Sequence, residues 1–261
     1  MALRSEVDPR ILIYAVIGFF AGLFLMYAGF GLFKRKRLIE NLPTSKIRSI
    51  AMGLVEVNGK ARHAKEKVMT SPLSGKKCVY YKYTIEKYVS SGKSGHWRMI
   101  KYDVGPGPFF VEDNTGTVLV DPKKADIKVP MSYQSQSSWG KDPEPLVKKF
   151  LEKEKIKFEG ALFGANFSMR YREWIIPPGM ELYVLGEAKD NPYVEEGTAV
   201  HGVEDIMITK GKDKIMMISH GKEKQVLKSL KWKAFGGLIG GLVLSVVCLV
   251  ITLAYISNLG G

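Results

Sequence analysis

Glu112, Asp113 and Asp121 are clustered carboxylates, with His96 nearby in sequence. Paired carboxylates do acid–base work when their surroundings push their pKa values apart. Here the local sequence argues for architecture. Asp113 sits in Asp113-Asn-Thr-Gly116 between two β-branched runs, where Asp bonds its own backbone. Asp121 precedes Pro122 and ends the second run. The other reactive types are sparse. Cys78 lies in an extended run and Cys248 inside a long apolar segment, and no C-x-x-C occurs. His63, His96, His201 and His220 share no metal-ligand spacing. A structural zinc site needs four such ligands. Gly105-Pro-Gly107 is too short and too proline-bound to cradle a phosphate, and no nucleophile elbow, P-loop or dinucleotide fingerprint is present. The expectation is no catalytic residue, no metal ligand and no cofactor.

The elements around these residues are more informative. Ile11 to Phe33 and Ala234 to the C-terminus carry no Asp, Glu, Lys, Arg or His. About 20 apolar residues suffice for a helix to cross some 30 Å of hydrocarbon. A signal peptide would be shorter, with its positive residues in front; here they follow. The boundaries expected are a tail over 1–10, a span over 11–33, a β-rich domain over 34–233 and a span over 234–259.

Charge gives the expected orientation. Only Arg4, Glu6, Asp8 and Arg10 lie outside the middle segment, so the formal +13 belongs to it. Lys34, Arg35, Lys36 and Arg37 abut the first span; Lys222, Lys224, Lys228, Lys231 and Lys233 lead into the second. The positive-inside rule then places the middle domain in the cytoplasm of a multi-pass protein, a prokaryotic plasma membrane being the expected setting. Of these, Lys34 to Arg37 with Lys228, Lys231 and Lys233 are the expected membrane-surface residues, each attracted to anionic head groups by about 1 kcal/mol. No helix-turn-helix, zinc-finger or RNP pattern appears, which argues against nucleic acid as a partner. Small residues four apart let membrane helices approach closely. Gly18 and Gly22 in the first span, and Gly236, Gly237, Gly240 and Gly241 in the second, are expected to pack helices within a chain or between copies.

The middle domain reads as mainly β, with α+β character, as a partly open barrel or sandwich. Asn58-Gly59 predicts a tight hairpin turn. Cys78–Tyr88 alternates as a half-buried strand does, with Val79, Tyr81, Tyr83 and Ile85 on one face and Lys82, Thr84 and Glu86 on the other, the polar set expected to meet solvent. Ser90–Gly95 predicts a hairpin tip, and Phe109–Glu112 with Thr117–Val120 a second hairpin. The polar stretch from Pro130 to Pro145 predicts a loop. Leu146–Phe158 predicts the one helix, ended by Gly160. Met169–Ile176, a Pro177-Pro-Gly179 turn, Met180–Leu185 and Lys214–His220 complete the reading.

Four blocks carry a family resemblance: Ser49 to Ala61, Thr70 to Tyr81, Pro108 to Pro122 and Glu173 to Gly186. They resemble the GIDE (mulan-type) domain, whose best-known members are membrane E3 ubiquitin ligases. The resemblance implies a shared binding or sensing domain between two spans. In those ligases a zinc-binding RING follows the second span, and this sequence has no Cys or His after Cys248. The expectation is a scaffold that binds membrane lipids and a protein partner and is not catalytic by itself. The alternative is a ligase-related factor working with a separate catalytic subunit.

Overall fold

The computed structural model describes residues 9–63, 69–92, 94–105, 107–160, 166–193, 205–211, 215–221 and 223–260. Val68, His201 and Lys214, and the side chains of Arg35, Lys222, Lys224 and Lys228, lie outside the described residues. The chain divides into two units, 1–43 with 223–261, and 44–222.

The first unit is a pair of helices, α1 (Pro9–Glu40) and α3 (Glu223–Gly260). Arg10–Lys34 and Lys231–Ser257 are long and apolar enough to cross a membrane. Only 11% and 17% of an 18-residue apolar window in each is buried, whereas the core helix of a soluble fold is mostly buried.

The second unit is mostly β. A barrel is built from β1 (Gly53–Arg62), β6 (Phe109–Glu112), β7 (Thr117–Val120), β12 (Ile206–Thr209) and β11 (Glu181–Asp190). They pair in that order, and β1 pairs back onto β11 from Gly53↔Ala188 to Lys60↔Glu181, which partly closes the ring. β13 (Met217–His220) and β8 (Asp126–Lys128) extend the sheet. Val57, Val111, Val118, Val120, Val184, Ile208 and Ile218 fill the core. Such β-branched side chains suit strands because they pack well on the pleat.

A second sheet runs β5 (Ser94–Val104), β4 (Tyr80–Ser91), β10 (Met169–Ile176), β9 (Met131–Ser137). Its inner face buries Tyr83, Ile85, Met169 and Tyr171 against Val147 and Leu151 of α2 (Pro145–Lys153). A two-stranded ladder, β2 (Met69–Thr70) with β3 (Lys77–Cys78), brackets the Ser71–Lys76 loop.

Four expectations are corrected. Asn58-Gly59 is no turn; it lies inside β1. A Cβ at Gly59 would sit 2.5 Å from the Glu112 carbonyl oxygen, so glycine serves close backbone approach there. The polar run after Pro130 holds β9, whose Ser and Gln residues suit an edge strand. The helix ends at Lys153, ahead of Phe158 and Gly160, because Lys155 takes a left-handed φ of 53° that stops it. Thr84 and Glu86 are both 5% exposed, so the second face of β4 is covered where solvent was expected.

Candidate functional site

The outer face of the four-stranded sheet brings charged and aromatic side chains together. Along β10 the side chains alternate. Met169, Tyr171, Glu173 and Ile175 are buried, while Arg170, Arg172 and Trp174 point to the other face. Arg170 stands directly opposite Glu86 of β4. Arg170 Nε donates to Glu86 Oε2 at 2.7 Å, its Nη2 donates to the same oxygen, and Arg172 Nη2 donates to Oε1. Burial alone would raise the Glu86 carboxyl. Hydrogen bonds and charge from Arg170 and Arg172 outweigh it and hold the group below the usual carboxylate range.

Aromatic rings frame this cluster. The Arg170 guanidinium lies 4.6 Å from the centre of the Trp97 ring. Trp174 takes Lys82 at 4.6 Å and Arg172 at 5.8 Å. Tyr88 meets Trp97 edge to face at 5.4 Å. Arg172 Nε is buried with no hydrogen-bond partner among the described residues. Toward β5 the face becomes apolar and open: Met99 is 53% and Tyr102 54% exposed, with Val104 beside them. Guanidinium donors, aromatic faces and an exposed apolar margin are the ingredients of recognition.

Behind this sheet a second carboxylate does structural work. Glu173 is fully buried and accepts from Ser71 Oγ at 3.0 Å, Leu73 N at 2.9 Å, Ser74 N at 3.2 Å and Ser74 Oγ at 2.5 Å. It thereby anchors the loop between β2 and β3. Burial, with the Glu173 charge nearby, pushes the Cys78 thiol up to about 12. That leaves almost no thiolate at neutral pH. In the barrel, fully buried Glu56 accepts from Tyr183 Oη at 2.9 Å and Thr44 Oγ1 at 2.7 Å.

The acidic residues picked out from sequence hold turns. Asp113 accepts from the backbone of Ile47, Thr115 and Gly116 and from Thr115 Oγ1. Burial opposes its ionisation, yet these bonds hold it below the usual range. Asp121 accepts from Lys123 N at 3.0 Å, Glu112 pairs with Arg62 at 2.5 Å, and His96 lies across from Val89 on β5. They do not converge. Glu56, Glu86 and Glu173 escaped the sequence reading. The available signal was phase: Glu173 shares the alternation of Tyr171 and Ile175, and Arg170, Arg172 and Trp174 share the opposite one.

In the helical unit the helices pack antiparallel. A Cβ on Gly22 would meet the Gly241 carbonyl oxygen at 2.8 Å, and one on Gly18 would meet Cys248 Sγ at 2.5 Å. Gly237 faces Gly29, which the sequence reading omitted. Gly236 and Gly240 have nothing within 4 Å and stand off this contact. The register brings Lys34, Lys36 and Arg37 to the same end of the pair as Lys231 and Lys233. Lys34 and Arg37 lie over Phe30 and Phe33, and Lys36 pairs with Glu40 at 2.5 Å.

A partly closed β barrel, an added four-stranded sheet and two terminal helices long and apolar enough to cross a membrane make this a mainly β protein whose ends fit a membrane protein. The family model GIDE, described as E3 Ubiquitin ligase, matches residues 81–252, from β4 into α3, and the chain belongs to that family. No curated protein matches it, and no solved structure does.

Proposed function

We propose that this chain is a multi-pass membrane scaffold whose β unit docks a protein partner on the outer face of the four-stranded sheet. The observation that carries this reading is the Glu86–Arg170–Arg172 cluster, framed by Trp97 and Trp174 and bordered by exposed Met99 and Tyr102. Arg and aromatic residues are enriched where binding energy concentrates. In this reading both helices span the bilayer. Trp232, flanked by Lys231 and Lys233, marks one interface, and Tyr255 lies about 35 Å further along α3 at 1.5 Å per residue. The basic residues from Lys34 to Arg37 and from Lys228 to Lys233 then face anionic head groups on the cytoplasmic side of a prokaryotic plasma membrane. The helix pair is also where copies of the chain would associate.

The test is photo-crosslinking of the full chain in its own membrane. A crosslinker at Tyr102 is expected to give one protein adduct that Arg170→Glu with Arg172→Glu abolishes. The same crosslinker at Asn114, on the barrel hairpin, is expected to give none. Adducts to lipid alone, or the same adducts from both positions, overturn the reading. A second reading is a ligase-related factor that presents its partner to a separate catalytic subunit. The family description favours it. It predicts that the adduct carries ubiquitin or a ubiquitin-like modifier.

A further inference from the structure

This inference rests on the docking role proposed for the sheet and adds the chemistry of the partner. We propose that the free edge of β5 receives an extended acidic segment of a partner protein, which adds as a fifth strand. β5 ends the order β5-β4-β10-β9, so among the described residues one side of its backbone has no strand beside it. It is 11 residues long, and every residue except Trp97 and Lys101 is exposed. Edges of this kind pair with any extended chain unless they are shielded. β5 contains no proline. Its shielding is one bulge, which leaves Ile100 unpaired between Met99 and Lys101, and its charges.

The charges select the occupant. Trp97, Met99, Tyr102 and Val104 lie on the outer face, beside the β4 residues Tyr88, Glu86, Thr84 and Lys82. His96, Arg98, Lys101 and Asp103 lie on the other. Lys101 is engaged by Glu154 at 2.7 Å. Arg98 stands directly across from Lys87, a like-charge pair, and forms no ion pair among the described residues. Like charges opposite one another on a sheet are destabilising until an anion joins them. A second copy of the chain would bring more positive charge, since the whole chain is +13. A strand that alternates apolar and acidic side chains satisfies both faces. Its apolar side chains continue the Trp97–Met99–Tyr102 row, and a carboxylate reaches Arg98. Main-chain hydrogen bonds supply affinity and the alternation supplies specificity.

The test uses the full chain in nanodiscs of zwitterionic lipid and a labelled nine-residue peptide alternating Val and Glu, read by fluorescence anisotropy. The Val–Glu peptide is expected to bind at least about tenfold tighter than its Val–Lys counterpart. N-methylation of alternate amides is expected to abolish binding for one of the two possible sets and spare it for the other. Arg98→Glu, an exposed substitution, is expected to reverse the charge preference. His96→Glu is expected to shift it the same way should the first variant fold poorly. Equal loss with both methylation sets, no charge preference, or no binding overturns the strand-addition proposal. So does displacement of the peptide by phosphatidylserine vesicles in an Arg98-dependent manner, which would assign the edge to lipid. If the peptide fails while the Tyr102 adduct persists, the edge inference falls and the scaffold reading stands; loss of the adduct itself removes the scaffold reading.

Discussion

Replacing Glu86 by Gln isolates the charge at the centre of the outer face while keeping its shape. The carboxylate is 7% exposed and is the ion-pair partner of both Arg170 and Arg172. Removing one member of a buried ion pair costs about 3–5 kcal/mol, because the remaining charge stays desolvated. The two arginine side chains are 23% and 26% exposed, so water takes up part of that cost. The expected loss is therefore intermediate between buried and surface pairs, about 2 kcal/mol at pH 7. The pH dependence follows from the sign of the shift. A carboxyl held below its ordinary value stabilises the fold fully above that value, near 4.3 for Glu, and ceases to do so as pH falls through the folded-state value. The unmodified chain should lose this contribution on acidification, and Glu86→Gln should show a shallower pH slope. Urea unfolding of the full chain in detergent micelles, followed by tryptophan emission, measures both quantities, because Trp97 and Trp174 report from inside the cluster. A loss below about 0.5 kcal/mol at pH 7, the ordinary surface range, would refute the reasoning. An unchanged pH slope would refute it as well.

Three further outcomes are expected. Glu173→Ala strips four hydrogen bonds from the Ser71–Ser74 loop, costs about 3 kcal/mol through stranded donors, and speeds thiol labelling of Cys78 in a Cys248→Ser background; unchanged labelling contradicts the anchoring role. Gly241→Leu forces α3 against the backbone of Gly22 and should lower the thermal stability of the helix pair by about 1–3 kcal/mol, whereas Gly240→Leu, with open space around it, should not; equal effects would contradict the packing described. With both native cysteines replaced, a cysteine at Ser94 is expected to resist a membrane-impermeant thiol reagent in intact cells and one at Ser257 to react; the opposite pattern inverts the proposed orientation.

What the sequence disclosed about the fold depended on contrast. The two terminal segments have extreme composition, and the hairpin at Asp113-Asn-Thr-Gly116 has turn residues between β-branched strands, so both were legible. β9 was not, because an edge strand reading Met-Ser-Tyr-Gln-Ser-Gln-Ser has little apolar signal. Tertiary contact decides such a strand: Ser137 Oγ lies 2.9 Å from the buried Tyr171 hydroxyl, and Gln134 and Gln136 pair with Arg172 and Arg170. Asn58-Gly59 misled because glycine serves two purposes that look alike in sequence, left-handed φ and close approach. Only the position of the Glu112 backbone tells them apart. The helix glycines carry the same ambiguity, since the rotation of α3 decides that Gly241 packs and Gly240 does not.

The candidate surface was harder to read because its key residues are ordinary charges until their partners are known. Glu86 reads as a solvent-facing strand residue, and only the antiparallel register of β4 with β10 brings Arg170 across from it. That register also joins the surface to the fold. In β10 one phase, Met169, Tyr171, Glu173 and Ile175, builds the inner core and anchors the Ser71–Ser74 loop, and the other, Arg170, Arg172 and Trp174, builds the outer face. A slip of one residue would expose Glu173 and bury both arginines, exchanging the two sets wholesale. The buried carboxylate that holds the loop therefore opposes that slip: it can meet Leu73 N and Ser74 N only in the register that turns both guanidinium groups toward Glu86.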